Sequence, residues 1–327
     1  MSLPRRLSGF KPTGSLQLGN YLGAIRPLVR TQEHTDTVVM VVDLHALTIA
    51  HEPAALRALT REVAMVLLAA GVDPRHSTLY VQSGVREHAE LHYLLECTAG
   101  YGEAHRMIQF KEKSVGQRHV RLSLLTYPVL MAGDILLHDT DEVPVGEDQS
   151  QHLELTRAVA TRFNARYGPT FVVPRVVNPP VAARIRDLSD PTTKMGKSHG
   201  GPGTVFLLDP PDVIRHKVLR AVTDARSEVC HDPAGQPGVS NLLEILAACA
   251  GRSPAALAGH FRGYGELKAA VVDALVDELG PLQAAYAELA ADPAEVDRLL
   301  REGAGRARIR AAATLDRARE AIGLLAA

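Results

Sequence analysis

Apolar residues in the first half of the chain follow the pattern of short buried strands separated by helices. The runs Thr37–Val42 and Thr78–Gln82 are rich in β-branched residues and predict strands buried on both faces. Behind Pro53, which favours the first turn of a helix, the apolar residues share one helical face: Leu56, Leu59, Val63 and Leu67. Because parallel strands need a long return connection, strands alternating with helices predict a doubly wound α/β layout.

The pattern changes to an almost purely helical one from about Pro211 onward. Two helical stripes are formed by Leu267, Ala270, Val271, Ala274 and Leu275 and by Ala311, Leu315, Ala318, Ile322 and Leu325. A loop rich in glycine and proline, Ser198–Thr204, separates the halves. We expect a Rossmann-type doubly wound parallel sheet over residues 1–205 and a C-terminal helical lobe over residues 206–327, with the last helix packing back on the first domain.

Composition limits which partners the chain can bind and how. The net charge is -1, so a nucleic-acid contact must use local basic patches. The last predicted helix carries such a patch, formed by Arg306, Arg308, Arg310, Arg317 and Arg319. Two interpretations stay open at this point, a solvated helix face and a surface that contacts nucleic acid.

Neither a membrane protein nor a disulfide-bonded secreted protein is expected. The first residues lack the apolar stretch of a secretory signal, and the apolar run Leu122–Leu137 contains Tyr127, Pro128 and Asp134, which favours a buried helix. The cysteines are far apart and form no CxxC pair: Cys97, Cys230 and Cys249. We therefore expect a soluble, cytoplasmic protein without a metal site of its own.

Two short motifs are suited to binding phosphate. Ser8–Gly23 is rich in glycine and leads into a helix, whose free N–H groups attract anions. Lys194–Ser198 places two ammonium groups three residues apart, which suits a departing pyrophosphate. Taken separately, an ordinary strand-to-helix turn and a solvated basic loop would show the same patterns.

The order and separation of these motifs resemble the two ATP-binding signatures of class I aminoacyl-tRNA synthetases. Gln17–Asn20 stands where most of that class has His-Ile-Gly-His, and Lys194–Ser198 stands for Lys-Met-Ser-Lys-Ser. The box ending in Gly-Asn-Tyr at Tyr21 is similar to the tryptophanyl enzymes. The resemblance extends over nearly the whole chain through the blocks Asp43–Thr48, Gln109–Ser114, Leu125–Asp134 and Val143–Gln149.

Asp134 is the expected determinant of amino-acid specificity. A carboxylate in an apolar helix is costly unless it meets a donor, which either the protein itself or a ligand can supply. The resemblance implies that Asp134 accepts the indole N–H of tryptophan, so that phenylalanine would leave it unpaired. The other residues that the resemblance places around tryptophan are Leu7, His45, Gln109, Tyr127, Met131, Val143 and Gln149.

The resemblance also implies an ATP site and a reaction. The ATP-binding residues would be Lys11, Pro12, Thr13, Gly19, Asn20, Gly146, Glu147, Asp148, Ile185, Lys194, Met195, Gly196, Lys197 and Ser198. Lys113, Lys194 and Lys197 would act catalytically with ATP-bound Mg²⁺, drawing charge off the triphosphate. Tryptophan would be activated to tryptophanyl-adenylate and transferred to tRNA(Trp). The helical lobe would read the anticodon, in a homodimer.

Several positions depart from the family pattern. Gly196 replaces the usual serine, Gln17 replaces a histidine or threonine, Lys11 stands where many relatives have glutamine, and Leu7 where an aromatic residue is common. A fixed charge at Lys11, together with the absence of tryptophan from the chain, suggests an auxiliary enzyme that resists tryptophan analogues. Three other identities stay open: a tyrosyl-tRNA synthetase, a nucleotidyltransferase of the same superfamily, and a paralogue without catalytic activity.

Overall fold

Five parallel strands form one sheet in the part of the chain that the computed structural model describes, residues 3–116, 118–144, 146, 149–177, 185–196, 201–226 and 228–325. The strands are β1 (Arg5–Phe10), β2 (Asp36–Val41), β3 (Ser77–Val81), β4 (Glu142–Pro144) and β5 (Arg175–Val177). Their order across the sheet is β3-β2-β1-β4-β5, and every pair is parallel. This topology confirms the doubly wound prediction and puts the switch point, where ligands bind in such folds, between β1 and β4.

The helices follow the sequence pattern closely. Those up to the end of the sheet are α1 (Leu18–Asn20), α2 (Arg26–Thr31), α3 (Asp43–Ala46), α4 (Pro53–Ala69), α5 (Glu87–Glu96), α6 (Tyr101–His105), α7 (Ile108–Ser114), α8 (Leu122–Leu137) and α9 (Ser150–Tyr167). A π-helical turn, Tyr21–Ile25, joins α1 to α2. The later helices are α10 (Pro211–Leu219), α11 (Pro237–Ala250), α12 (Pro254–Ala258), α13 (Tyr264–Ala291) and α14 (Pro293–Ala321). Over the described residues, none of these helices is both long and apolar enough to cross a membrane.

The two faces of the sheet belong to different hydrophobic cores. Val39 and Val41 of β2 pack in one core with α4, α11 and α13. Val38 and Met40, which alternate with them, pack in the other core with α8, α9 and α14. This alternation is the period of two expected for a strand, and burial on both faces explains the continuous apolar run in the sequence.

The last helix lies against the edge strand of the sheet. Gly303 in α14 is so close to β3 that a Cβ at this position would lie 1.8 Å from the carbonyl oxygen of Leu79. Arg306 donates a hydrogen bond to the carbonyl oxygen of Ser77 at 3.3 Å. An edge strand presents unpaired backbone groups, so a covering helix both satisfies some of them and blocks pairing with other chains.

The arginine stripe of α14 contacts the first half of the chain. The partners are the carbonyl oxygens of Ser77 and Gly84 and the carboxylates of Asp36, Asp139 and Glu90, bound respectively by Arg306, Arg308, Arg310, Arg317 and Arg319. Single surface pairs of this kind contribute about 0–1 kcal/mol each. Arg308 and Arg317 remain 51% and 44% exposed, so the stripe is also a partly solvated face, and its contact with nucleic acid stays a prediction.

Two boundaries also differ from the sequence-based prediction. The glycine-rich motif that we began at Ser8 starts inside β1, where Ser8 pairs with Val39. At the other end α14 stops at Ala321, and Leu325 is 88% exposed instead of continuing the apolar stripe. A helix end frays where its residues no longer make apolar contacts, and the periodicity of the sequence alone does not locate this point.

Two glycines of α14 form a matched pair for testing its contact with β3. We expect Gly303→Ala to lower the free energy of unfolding by about 1–3 kcal/mol, because the new methyl group meets backbone that cannot move aside. Gly305→Ala, whose new methyl group would meet nothing within 4 Å, should instead raise that free energy by up to about 1 kcal/mol through helix propensity. Urea denaturation of both variants measures the difference. Equal effects of the two substitutions would contradict the close contact.

Candidate functional site

Candidate residues follow four of the strands at the carboxyl edge of the sheet, which we call the strand-end site. Lys11 follows β1, His45 follows β2, Gln82 follows β3 and Gly146 follows β4. Because parallel strands all point the same way, these loops come to one edge, where they can hold a ligand. The sequence predicted three of these four positions and missed Gln82.

The two ATP-binding motifs are joined directly by hydrogen bonds. The Gln17 side chain, 3% exposed, donates from Nε2 to the carbonyl oxygen of Met195 at 2.8 Å. The same amide accepts from the backbone N–H of Gly19, while Asn20 Oδ1 accepts from the Gln17 N–H at 3.2 Å. The first motif therefore begins its helix with a reciprocal cap and holds the second motif in place with an N–H of the same side-chain amide.

The backbone strengthens this connection between the motifs. Leu18 N donates to the carbonyl oxygen of Val205 at 2.9 Å, and Leu207 N donates to that of Leu16 at 3.0 Å. Met195 is 1% exposed, and its N–H donates to the carbonyl oxygen of Ile185 at 3.2 Å. Backbone hydrogen bonds therefore tie Leu16–Leu18 to the segment that begins at Val205, and Met195 to Ile185.

Asp134, in the apolar helix α8, is 2% exposed and surrounded by donors. His45 Nε2 lies 2.8 Å from Oδ2, and Gln82 Nε2 donates to Oδ1 at 2.7 Å and to Oδ2 at 2.9 Å. His88 Nδ1 lies 2.7 Å from Oδ1. A buried carboxylate is tolerated when several donors replace its water shell, and each of these donors comes from a different element.

These donors keep Asp134 ionised. Burial by itself raises the pKa of the Asp134 carboxyl, but His88 and His45 more than offset burial and hold the pKa well below its usual value. The site therefore presents a fixed negative charge at neutral pH. Groups of the protein already surround both oxygens of this carboxylate. It can accept a hydrogen bond from one further N–H group only if one of these groups moves away.

A second row of buried polar groups stands behind Asp134. The Tyr80 hydroxyl lies 2.9 Å from His88 Nε2 and 2.7 Å from His138 Nε2. Burial, followed by the neighbouring His88, lowers the pKa of His138 to about 3. His138 is therefore neutral at physiological pH and carries one ring proton, on either Nδ1 or Nε2.

Two lysines supply positive charge on the other side of the strand-end site. Lys11 Nζ donates to Thr48 Oγ1 at 3.0 Å, and Thr48 in turn donates to the carbonyl oxygen of His45 at 2.9 Å. Burial first, and then the charge of Lys113, lower the pKa of Lys11 to about 8. Lys113 Nζ itself lies 5.9 Å from the centroid of the Tyr127 ring.

Tyr127 links the lysine side to the Asp134 side. Its hydroxyl lies 2.7 Å from His152 Nε2, and its ring meets that of His45 edge-on at a centroid distance of 6.2 Å. Burial raises the pKa of the Tyr127 hydroxyl to about 12, so that it stays protonated. The structure thus brings together Lys11, His45 and Tyr127 as the sequence analysis expected.

The remaining predicted residues differ in where the structure places them. Leu7, Val143 and Ile185 are buried, at 5%, 3% and 3% exposure, and Met131 is half-buried in α8 beside Asp134. Gln109 lies in α7 with Lys113, Gln149 N donates to the Gly146 carbonyl oxygen, and Lys194 pairs with Arg186 in an isolated bridge. Pro12 is buried, and Thr13 is partly exposed. Glu147, Asp148, Lys197 and Ser198 lie outside the described residues.

Three residues of the site were absent from the sequence-based set, namely Gln82, His88 and His152. Gln82 could have been found, because it follows β3 as Asp43 follows β2. His88 and His152 lie in helices and carry no local signal. Among the described residues no cluster of His, Cys, Asp and Glu is arranged to hold a metal ion.

Comparison with known proteins gives one consistent family. Residues 3–280 match the family model described as tRNA synthetases class I (W and Y). The chain is 57% identical over 329 aligned residues to Tryptophan--tRNA ligase 1 of Streptomyces coelicolor, covering 99% of this chain and 98% of the relative.

Solved structures agree with the sequence comparison. The tryptophanyl-tRNA synthetase of Mycoplasma pneumoniae superposes with a TM-score of 0.92 at 36% identity, covering 99% of this chain and 98% of that chain. That of Campylobacter jejuni complexed with ADP and tryptophan superposes with a TM-score of 0.84 at 30% identity, covering 98% and 100%. The chain therefore belongs to the class I tRNA synthetases of the W and Y family, in the branch of the tryptophan--tRNA ligases.

Proposed function

We propose that this protein activates L-tryptophan with ATP to tryptophanyl-adenylate and transfers the amino acid to tRNA(Trp), with release of pyrophosphate and AMP. The observation that carries the proposal is the ionised, buried Asp134, held at the carboxyl edge of the sheet by His45 and Gln82. Tryptophan offers a single side-chain donor, its indole N–H, and a fixed carboxylate is its natural acceptor. The reducing cytoplasm is the proposed compartment.

The contacts of Asp134 leave a route for the indole N–H. Gln82 Nε2 contacts both carboxylate oxygens, so it can keep one contact and yield the other to the substrate. Phenylalanine would displace a donor without supplying an N–H group in its place. The loss of one hydrogen bond to a buried carboxylate is unfavourable, so phenylalanine would bind weakly. Leu7, Met131 and Val143 provide the apolar surroundings that we assign to the indole ring, with His45 and Gln109 at its margin.

Tyr127 and Gln149 are proposed to hold the reacting end of tryptophan. The first motif (Lys11–Thr13, Gly19 and Asn20) and the second, Lys194–Ser198, would take the triphosphate, and Gly146–Asp148 with Ile185 the nucleoside. Lys113, Lys194 and Lys197 would withdraw charge from the triphosphate together with ATP-bound Mg²⁺. Because phosphoryl chemistry of this kind needs positioning and charge neutralisation, no covalent enzyme intermediate is required.

We also propose which parts of the chain carry out catalysis and which bind the tRNA. Residues 1–205 would form the catalytic domain, and the helices from 206 onward the lobe that reads the anticodon. Helix α14 packs in the same core as α8 and α9, so we assign it structurally to the catalytic domain. The anticodon contact would then fall to α10–α13.

Asp134→Asn tests the amino-acid assignment. We expect kcat/KM for tryptophan in tryptophan-dependent exchange of labelled pyrophosphate into ATP to fall about 10- to 100-fold, since a charge-assisted hydrogen bond contributes about 1.5–3 kcal/mol. The KM for ATP should change little, because the carboxylate does not face the phosphate motifs. Tyrosine serves as the control substrate for the wild type. Exchange that tyrosine supports as well as tryptophan would contradict the assignment.

A second proposal concerns the physiological role of the enzyme. The hydrogen bonds from Lys11 through Thr48 to His45 place a cation beside the tryptophan side of the site. Such a cation favours a ligand with a free carboxylate and disfavours an analogue that lacks one. We propose that the protein is an auxiliary enzyme that tolerates tryptophan analogues.

This second proposal predicts a dependence on pH. Since the pKa of Lys11 is about 8, its charge is present below that pH and is lost above it. Inhibition by an analogue without the carboxylate should therefore strengthen between about pH 7 and about pH 9 relative to the KM for tryptophan, by up to about tenfold. Lys11→Gln should be strongly inhibited at both pH values. Equal sensitivity of wild type and variant at the lower pH would refute the proposal.

The exposed apolar residues around α6–α8 support a homodimer. Tyr101 is 72% exposed, Leu122 is 74% and Val115 is 79%, on or beside helices that contact one another. Large apolar residues gathered in one region of a surface favour contact with another chain. A second copy of this chain is the partner that we propose for this surface.

Leu122→Glu tests the dimer. A buried charge in the interface should shift the protein from dimer to monomer at micromolar concentration in sedimentation velocity. Ile309→Glu, at a 77% exposed apolar position on α14, is the matched control and should remain dimeric. A wild type that sediments as a monomer, or a control that dissociates equally, would contradict this interface.

A further inference from the structure

A chain of buried side chains continues from Asp134 away from the residues assigned to tryptophan. It runs from His88 on α5 to Tyr80 on β3 and ends at His138, directly after α8. All three side chains are fully buried, at 0% exposure. None of them is assigned a role in the reaction described above, although each is an expensive group to bury.

For neutral histidine rings, one arrangement of protons fits the contacts of this chain. Among the described residues His138 Nδ1 is buried without a partner, and an unpaired ring nitrogen is more tolerable as a bare acceptor than as an N–H. The neutral His138 ring therefore carries its proton on Nε2 and donates to the Tyr80 oxygen. Tyr80 has a single hydroxyl hydrogen, which must then go to His88 Nε2. That leaves the His88 proton on Nδ1, where it faces Asp134.

Both hydrogen bonds of the chain then run toward His88, whose Nδ1 proton lies beside the carboxylate. Successive hydrogen bonds in a low-dielectric interior polarise one another, so each donor strengthens the next. By donating to Nε2, Tyr80 stabilises the tautomer in which His88 faces Asp134 with its Nδ1 proton. The same logic applies to metal sites, where a partner on the far ring nitrogen fixes the tautomer and orientation of a histidine.

We propose that His88, Tyr80 and His138 are positioning residues for tryptophan selection, acting through Asp134. The inference rests on the proposed function, since it presumes that Asp134 accepts the indole N–H. His88 Nδ1 lies 2.7 Å from Oδ1, and the attraction between its proton and this oxygen opposes rotation of the carboxylate, so that Oδ2 remains directed toward His45 and the substrate. The chain sets the direction in which the carboxylate accepts the substrate's hydrogen bond.

Tyr80→Phe interrupts the chain with almost no change in side-chain volume. We expect the KM for tryptophan in pyrophosphate exchange to rise about three- to tenfold, the worth of one hydrogen bond, with kcat within about twofold of wild type. The KM for an analogue in which sulfur replaces the indole N–H should not change, because that analogue does not use the orientation of Asp134. A purely structural role of Tyr80 would change both substrates alike.

Two controls separate the possible outcomes. Tyr167→Phe removes a hydroxyl group from a tyrosine packed against the same hydrophobic core and should leave both KM values unchanged. Asp134→Asn should weaken tryptophan and spare the sulfur analogue. If Asp134→Asn shows no such selectivity, the indole contact itself is wrong. If Asp134→Asn is selective and Tyr80→Phe is not, the positioning role alone is wrong.

Substitutions of His138 provide a second test if Tyr80→Phe unfolds at the assay temperature. His138→Leu removes the first donor of the chain and should reproduce the rise in KM for tryptophan alone. His138→Gln restores an amide N–H toward Tyr80 and should return that KM to within about twofold of wild type. Equal behaviour of the Leu and Gln variants would overturn the proposal.

The tautomers can also be read without any enzymatic assay. Nitrogen-15 NMR of the wild-type protein labelled in histidine should show a proton on Nδ1 of His88 and on Nε2 of His138, both slow to exchange with solvent. Spectra of Tyr80→Phe and of His138→Gln assign the two signals. The opposite tautomers would reverse the hydrogen bonds and refute the arrangement.

Discussion

The buried carboxylate of Asp134 is the constraint on which the rest of the site depends. An ionised group in an apolar helix is stable only when donors surround it, and here they come from α3, from the turn after β3 and from α5. These elements must therefore meet at the carboxyl edge of the sheet for the protein to fold at all. The donors that stabilise the buried carboxylate in the folded protein are the same groups that prepare it to accept the substrate's hydrogen bond.

The last helix belongs to this arrangement although it is remote in sequence. Helix α14 presses Gly303 against the backbone of β3 and binds the carbonyl oxygens at both ends of that strand through Arg306 and Arg308. The same strand carries Tyr80 and is followed by Gln82, two of the residues that organise Asp134. By covering the edge of the sheet, α14 holds β3 in place, and β3 in turn positions the residues that contact Asp134. The packing of the C-terminal helix against the first domain therefore supports the specificity site.

Local patterns predicted the elements well, and long-range pairing explains most of what they missed. Strands β2 and β3 and helices α4 and α8 follow from periodicity because each is buried in a regular pattern. The donors to Asp134 lie 52 and 89 residues away at Gln82 and His45, distances over which one sequence carries no pairing information. His45 entered the predicted site through family resemblance, whereas His88 had neither a motif nor a strand end to mark it. The arginines of α14 are a different case, since their charge was visible in the sequence but their partners within the chain were not.

The contacts of Gln17 bear on whether Gly196 points to a protein without catalysis. The second motif is anchored through Met195, which is buried and bound to Gln17 Nε2 and to the backbone of Ile185. None of these contacts uses a side chain at position 196, where, among the described residues, a Cβ would meet only the Lys194 carbonyl oxygen at 3.8 Å. A missing hydroxyl there therefore leaves the anchoring of the motif intact. Gln17 itself replaces the usual histidine with a group that both donates and accepts, as this position requires. The two departures most suggestive of lost function are thus compatible with a working ATP site.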